Sequence, residues 1–236
     1  MHFHLPKPLH GWREFAGEVG IIVLGVLIAL AAEQAIETLR WHEKVERTKD
    51  LLDSELHDDA LSAYGWLATG PCLDQQLNAA ELAVGAGRSS GAIAATAPYS
   101  PELDVFTSDS WVNARSLEVT DHMSPEAIRT YSRLFFFPTE LQNDIVELHQ
   151  LAAELRPLAA GVRNVSSQEA GEYQRLIAKT RELQDRTELA QKILIILAAR
   201  AQVRLSGKEM KEAVAERKAL HDTCTGPPDL TLRHGD

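Results

Sequence analysis

The stretch that decides the fold lies near the amino end, Gly17–Gln34, reading GEVGIIVLGVLIALAAEQ. Between Glu18 and Glu33 no charged or strongly polar side chain occurs. Val19–Ala32 is therefore an apolar run of about 14 residues, against the roughly 20 that cross a bilayer. The flanks supply the difference. Phe15, Ala16 and Gly17 extend the run before Glu18, and Ala35 with Ile36 extends it after Glu33. Trp12 and Trp41 bracket the segment, as amphipathic aromatics do at membrane–water interfaces. A soluble surface helix carries one apolar stripe; this segment is apolar on every side.

A cleaved export signal is the competing reading. The string ALAAEQ offers Ala29, Ala31 and Ala32 as small residues for a cleavage site. Against cleavage, no Pro or Gly interrupts the helical pattern between Gly25 and Gly65. The expectation is a transmembrane helix over residues 15–36 that stays attached. Lys7 and Arg13 precede it; Arg40, Lys44, Arg47 and Lys49 follow. Counting positive charges slightly favours the body inside. A short tail that stays in the cytoplasm favours the opposite, and the expectation is a bacterial inner-membrane protein with its body in the periplasm.

The string GEVGIIVLGVLIALAAEQAIETLRW also resembles the N-terminal segment of bacterial single-pass membrane-anchored proteins of unknown function. The matching positions are Gly17, Glu18, Gly25, Leu27, Ile28, Ala29, Leu30, Gln34 and Trp41. A weaker echo is SDSWVNARSLEVTDHMSPEAIRTYSRL, a Ser-Trp pair followed by a Tyr-bearing helix. The resemblance implies location and architecture, and no activity.

The bulk numbers bound the rest. The chain has 236 residues, 44% hydrophobic and 25% charged, as folded proteins do. Its net charge of −10 argues against a nucleic-acid partner, because phosphate backbones attract clustered Lys and Arg. Two cysteines, Cys72 and Cys224, lack the spacing of a zinc site. Outside the cytoplasm they could form one disulfide; otherwise they are two unrelated thiols.

Past the apolar segment, Val45, Leu52, Leu56, Ala63 and Leu67 make one stripe of a helix expected to end near Thr69. A helix of that length needs partners. A shorter helix is expected over residues 73–87, a loop over 88–102 and a short helix near Trp111. Ser124 and Pro125 start another that reaches about Phe136. Thr139 and Gln142 have capping-box spacing for the next, which runs to about Arg163 with a kink at Pro157. Ser166 and Glu169 repeat that signal. The last long helix carries Tyr173, Leu176, Thr180, Leu183, Thr187, Ala190, Leu194, Leu197 and Ala201 as a heptad-like seam to about Leu205. A break at Gly207 precedes a short helix to about Leu220. No strand-like alternation stands out. The fold class is all-α: an N-terminal transmembrane helix continuing into an elongated antiparallel helical bundle. The divisions are a tail over 1–14, the membrane helix over 15–36, the bundle over 37–221 and a loose tail over 222–236.

Chemical motifs are sparse. His57, Asp58 and Asp59, with Asp53 a turn earlier, read as a solvated helix face rather than a metal site. Asp121 and His122 read as a loop cap rather than an acid–base pair. No nucleophile elbow, phosphate loop or dinucleotide fingerprint occurs. No catalytic residue, cofactor or metal is therefore assigned. Ala16 with Gly20, and Gly25 with Ala29, are small residues four apart that let membrane helices approach. Glu18 lies beside them as an ionisable group near the edge of the span. Phe135, Phe136 and Phe137 cannot all face one side of a helix, so Phe136 and Phe137, with Trp111, are the candidate contact surface. The expected function is a membrane-anchored scaffold or accessory subunit acting by protein contact without catalysis. Its partners would be the bilayer and another membrane protein or a second copy. The alternative is a periplasmic domain that binds or senses a small molecule.

Overall fold

The computed structural model describes residues 11–221, leaving aside the side chains of Glu14 and of residues 219–221. Helix α1 spans Trp12–Leu67, 56 residues without a break, or roughly 84 Å at 1.5 Å per residue. Among the described residues, its first half stays exposed throughout. Its second half buries Val45, Leu52, Leu56, Ala63 and Leu67, the stripe that the spacing predicts, together with Ala60 and Trp66.

A turn at Ala68 and Thr69 offsets the chain into α2, Gly70–Ser90, with Pro71 in its first turn. Pro is tolerated there because its missing N–H has no intrahelical acceptor. The sequence places the start of this helix three residues late and its end three residues early. Gly91 closes it in the left-handed region at φ 76, where a side chain would be strained. Gly87 is needed for another reason: a Cβ there would come within 2.6 Å of Ile93. Ala92–Ile93 (β1) pairs antiparallel with Arg163–Asn164 (β2), a two-residue contact that the period-2 rule does not detect.

Helices α3 (Asp109–Ser116), α4 (Pro125–Leu134) and α5 (Phe136–Leu155) follow, with a 3₁₀ turn at Val119–His122 before α4. Ser124 caps α4 as expected, accepting from Ala127 N–H at 3.2 Å. The Thr139–Gln142 capping box does not form. Helix α5 starts three residues earlier, directly off α4, so Thr139 already lies inside its first turn. Gln142 instead accepts from Phe106 N–H at 2.9 Å. Helix α5 also stops at Leu155, short of Arg163, where Arg156–Ala159 tightens into a 3₁₀ turn around Pro157.

Helix α6, Ser167–Arg200, begins with the expected box: Ser166 Oγ accepts from Glu169 N–H, and the Glu169 carboxylate accepts from Ser166 N–H. Ser206 and Glu209 repeat this geometry before α7, Gly207–His221; the expected break is present but falls over residues 201–206, because α6 ends at Arg200 rather than near Leu205 and Gly207 already opens α7. Helix α6 is the central element. It runs antiparallel to α2, with Arg181 on Asn78 and Glu81 and Arg88 on Gln174, each at 3.0 Å. It runs antiparallel to α5 through Arg186, which forks onto Asp144, and Lys179, 2.8 Å from Glu147. Helix α7 climbs beside α1, from Glu209 near His57 to Arg217 near Gly65.

Two apolar clusters stack along this bundle. One gathers Leu52, Leu56, Trp111, Tyr131, Phe135, Leu141, Leu194 and Ala198 nearer the amino end of α1. The other gathers Trp66, Leu73, Leu77, Ile93, Leu148, Leu155 and Ile177 farther along. Along its length α6 also buries Thr180, Gln184, Thr187 and Gln191. The heptad seam is correct at Thr180, Leu183, Thr187 and Leu194, whereas Tyr173, Leu176, Ala190 and Leu197 are only half-buried. Helix α6 meets α1, α2 and α5 on different sides, so one narrow seam does not describe it.

The chain is thus all-α, an elongated helical bundle on a long N-terminal helix. The two-stranded β1–β2 contact is the only sheet among the described residues.

Candidate functional site

Among the described residues, one helix is long and apolar enough to cross a membrane: α1, whose most apolar window has no buried residue. A core helix of a soluble protein passes the same length test but is mostly buried. Ile21, Ile22, Leu24, Val26, Leu27, Ile28 and Leu30 all stay more than half exposed. At about 1.5–3 kcal/mol per large apolar side chain, leaving these in water costs on the order of 10–20 kcal/mol. Lipid or a partner surface removes that cost. Ala16, Glu18, Gly20, Gly25 and Ala29 all lie on this unpartnered length, and a Cβ on Gly20 or Gly25 would touch nothing.

Just past this apolar length, the body first touches α1. Trp41 stacks on His122 with ring centroids 3.7 Å apart and planes 15° from parallel. Lys44 Nζ lies 4.5 Å over the Trp41 ring and donates to the Leu117 carbonyl at 3.5 Å. His122 is therefore an α1 contact, a role that adjacency to Asp121 in sequence did not suggest.

The His57–Asp59 stretch is not a uniformly solvated face. Asp53 accepts from Tyr131 Oη at 2.8 Å, and His57 contacts Asp58 and Glu209. Asp59 is buried and accepts from Thr107 N–H at 3.2 Å. Burial pushes its carboxyl up to about 7; the Thr107 N–H opposes this, and the charges of Glu55 and Asp58 add to it. One turn earlier, Glu55 is partly buried too, which raises its carboxyl. Hydrogen bonds from Ser110, Thr107 and Asp109 outweigh that and hold it below the usual carboxylate range. Glu55 thus caps α3, whose own N-cap residue Ser108 makes no side-chain cap. No sequence signal marks this cap, because it comes from another helix. No group of three or more His, Cys, Asp or Glu able to hold a metal occurs among the described residues.

The candidate contact surface needs correction at Trp111. That ring is 8% exposed and packs between Tyr131 and Phe135, with centroids 6.3 and 6.2 Å away. It belongs to the core because its helix packs against α1 and its ring meets Tyr131 of α4 and Phe135 just beyond it. Phe137 is half-buried against the same cluster, and Phe136 alone stays open at 58% exposure. Cys72 is buried at the start of α2; its proposed partner Cys224 lies outside the described residues.

One cleft escaped the sequence reading. Arg129 and Arg133 of α4 and Arg200 of α6 line a surface cleft of about 210 Å³, floored by Leu134, Leu197 and Ala201. Arg133 and Arg200 lie in the last turns of their helices, where positive charge complements the carbonyl end of the helix dipole. The signal was available as Arg129 and Arg133 four apart on one helix, but Arg200 joins them only through packing.

Compared with known protein families, with curated proteins and with solved structures, the chain finds no match. The fold and its exposed apolar helix define its class: an all-α bundle on a candidate membrane-spanning helix.

Proposed function

We propose that this chain is a single-pass bacterial inner-membrane protein whose helical body acts in the periplasm by contact, as a scaffold or accessory subunit. The observation that carries this reading is the continuity of α1. One unbroken helix supplies both the fully exposed apolar length and the stripe at the bundle core. A force or contact on the body is thereby coupled to the segment in the membrane. The membrane length, with its small residues at 16, 20, 25 and 29, suits another membrane helix or a second copy. Phe136 offers a contact point on the body.

The test is crosslinking in intact cells followed by purification of the full chain in mild detergent, with reporter fusions at both termini fixing orientation. The expected result is a stoichiometric partner or a homodimer, crosslinked through residues of the membrane length. A clean monomer without partner contradicts the contact reading.

A second reading, a small-molecule-binding body, draws on the arginine-lined cleft. Three guanidinium groups over an apolar floor suit a small anion. Inorganic phosphate then raises the unfolding temperature of the native chain and leaves that of Arg200→Ala unchanged. Equal responses of the two proteins remove this reading.

A further inference from the structure

We propose that the reversal between α3 and α4, residues 117–123, is a foot that lies in the phospholipid headgroup layer and sets the stance of the body over the bilayer. The inference rests on the anchored reading of residues 15–36. Helix α1 has no break between Trp12 and Leu67, so height above the span follows from helical rise. Trp41 lies five residues past Ile36, about 7–8 Å along the axis. The headgroup layer on each side of the hydrocarbon is about 5–8 Å thick. A helical side chain also leans toward the N-terminus, which for Trp41 is toward the bilayer.

The body reaches down to that level. Helix α3 starts high, where Glu55 caps Asp109 and Ser110, and descends to Leu117, whose carbonyl meets Lys44. Glu118 then reverses the chain in the left-handed region at φ 57. The 3₁₀ turn places His122 on Trp41, and Ser124 starts α4 on its way back up. Residues 117–123 are therefore the lowest part of the body among those described.

The surface chemistry fits a zwitterionic headgroup. Leu117 is 60% exposed at the reversal, and Trp41 is an interfacial residue by type. Arg40 and Lys44 offer charge for the phosphate; Glu118 and Asp121 offer charge for the ammonium group. A cleft of about 340 Å³ opens beside the Trp41–His122 stack, with Glu37, Thr38 and His42 on its wall. Positive charge alone would have pointed to an anionic surface; both signs at one level point to a headgroup that carries both.

The test uses the full chain in phosphatidylcholine nanodiscs doped with a nickel-chelating lipid. A nitroxide is attached through an unnatural ketone side chain at Ile36, Asp121 or Glu182, leaving Cys72 and Cys224 untouched. The expected result is relaxation enhancement at 121 approaching that at 36, with 182 unaffected. A label at 121 as silent as at 182, while 36 relaxes, overturns the foot and leaves the anchor standing. Silence at all three positions overturns the anchored reading and the foot with it.

Discussion

Residues 15–36 and residues 45–67 belong to one helix and differ in how they bury apolar surface. The first length is apolar on every side between Glu18 and Glu33 and buries none of that surface against the described residues; the second is apolar on one stripe and buries it to the last residue. Helical propensity and backbone hydrogen bonds are shared, so they do not account for the difference. The deciding variable is what surrounds the helix. A stripe calls for neighbours on one side, which α6 and α7 supply. An unbroken apolar surface calls for a solvent that is itself apolar.

Substitutions in the two lengths should therefore separate two readouts. The largest effect is expected at Trp66→Ala. Trp66 is fully buried in the far cluster, and truncation of such a side chain costs about 3–5 kcal/mol. Chemical denaturation of the full chain in nanodiscs should show that loss, while the share of protein in the membrane fraction stays unchanged. Coupled loss of both would mean that the two lengths are not independent.

Leu24→Arg is the mirror experiment. A charge at the centre of a membrane helix costs about 2.5–3.5 kcal/mol of insertion. Membrane association should fall, and the unfolding midpoint of the body should hold. An unfolded body in this variant would place residue 24 in a protein core instead.

The smallest effect is one of slope. Asp59 titrates at about 7 in the folded chain, against about 3.9 when unfolded. The folded state thus holds the extra proton between those values, and stability falls as pH rises from about 4 to about 7. The slope is at most about 1.4 kcal/mol per pH unit. Glu55 works in the opposite direction: its lowered carboxyl stabilises above the ordinary carboxylate value, and this is lost as pH falls through the lowered one. Asp59→Asn should flatten the slope between pH 5 and pH 7 and make the variant the more stable protein at pH 8. Parallel pH profiles for the two proteins would contradict the assignment.

These residues also show what the sequence made legible. The stripe from Val45 to Leu67 was readable because each position repeats at helical spacing along one element. The caps at Ser124 and Ser166 were readable because both partners lie within three residues. The Glu55 cap, the burial of Asp59 and the Trp41–His122 stack were not readable, because each joins residues more than 45 apart in the chain. Trp111 misled for a related reason. A large aromatic on a short polar helix looks exposed until Tyr131 and Phe135 arrive from α4 to cover it. The Thr139 box failed because α5 continues directly from α4, leaving no free N-terminus to cap.

The central claim, that lipid surrounds residues 15–36 in the mature protein, is tested most directly by washing membranes that carry the full chain with alkaline carbonate. The account predicts that the protein stays in the pellet and is released only by detergent. Release into the carbonate supernatant, whether of an intact chain or of one cleaved after Ala32, would contradict it.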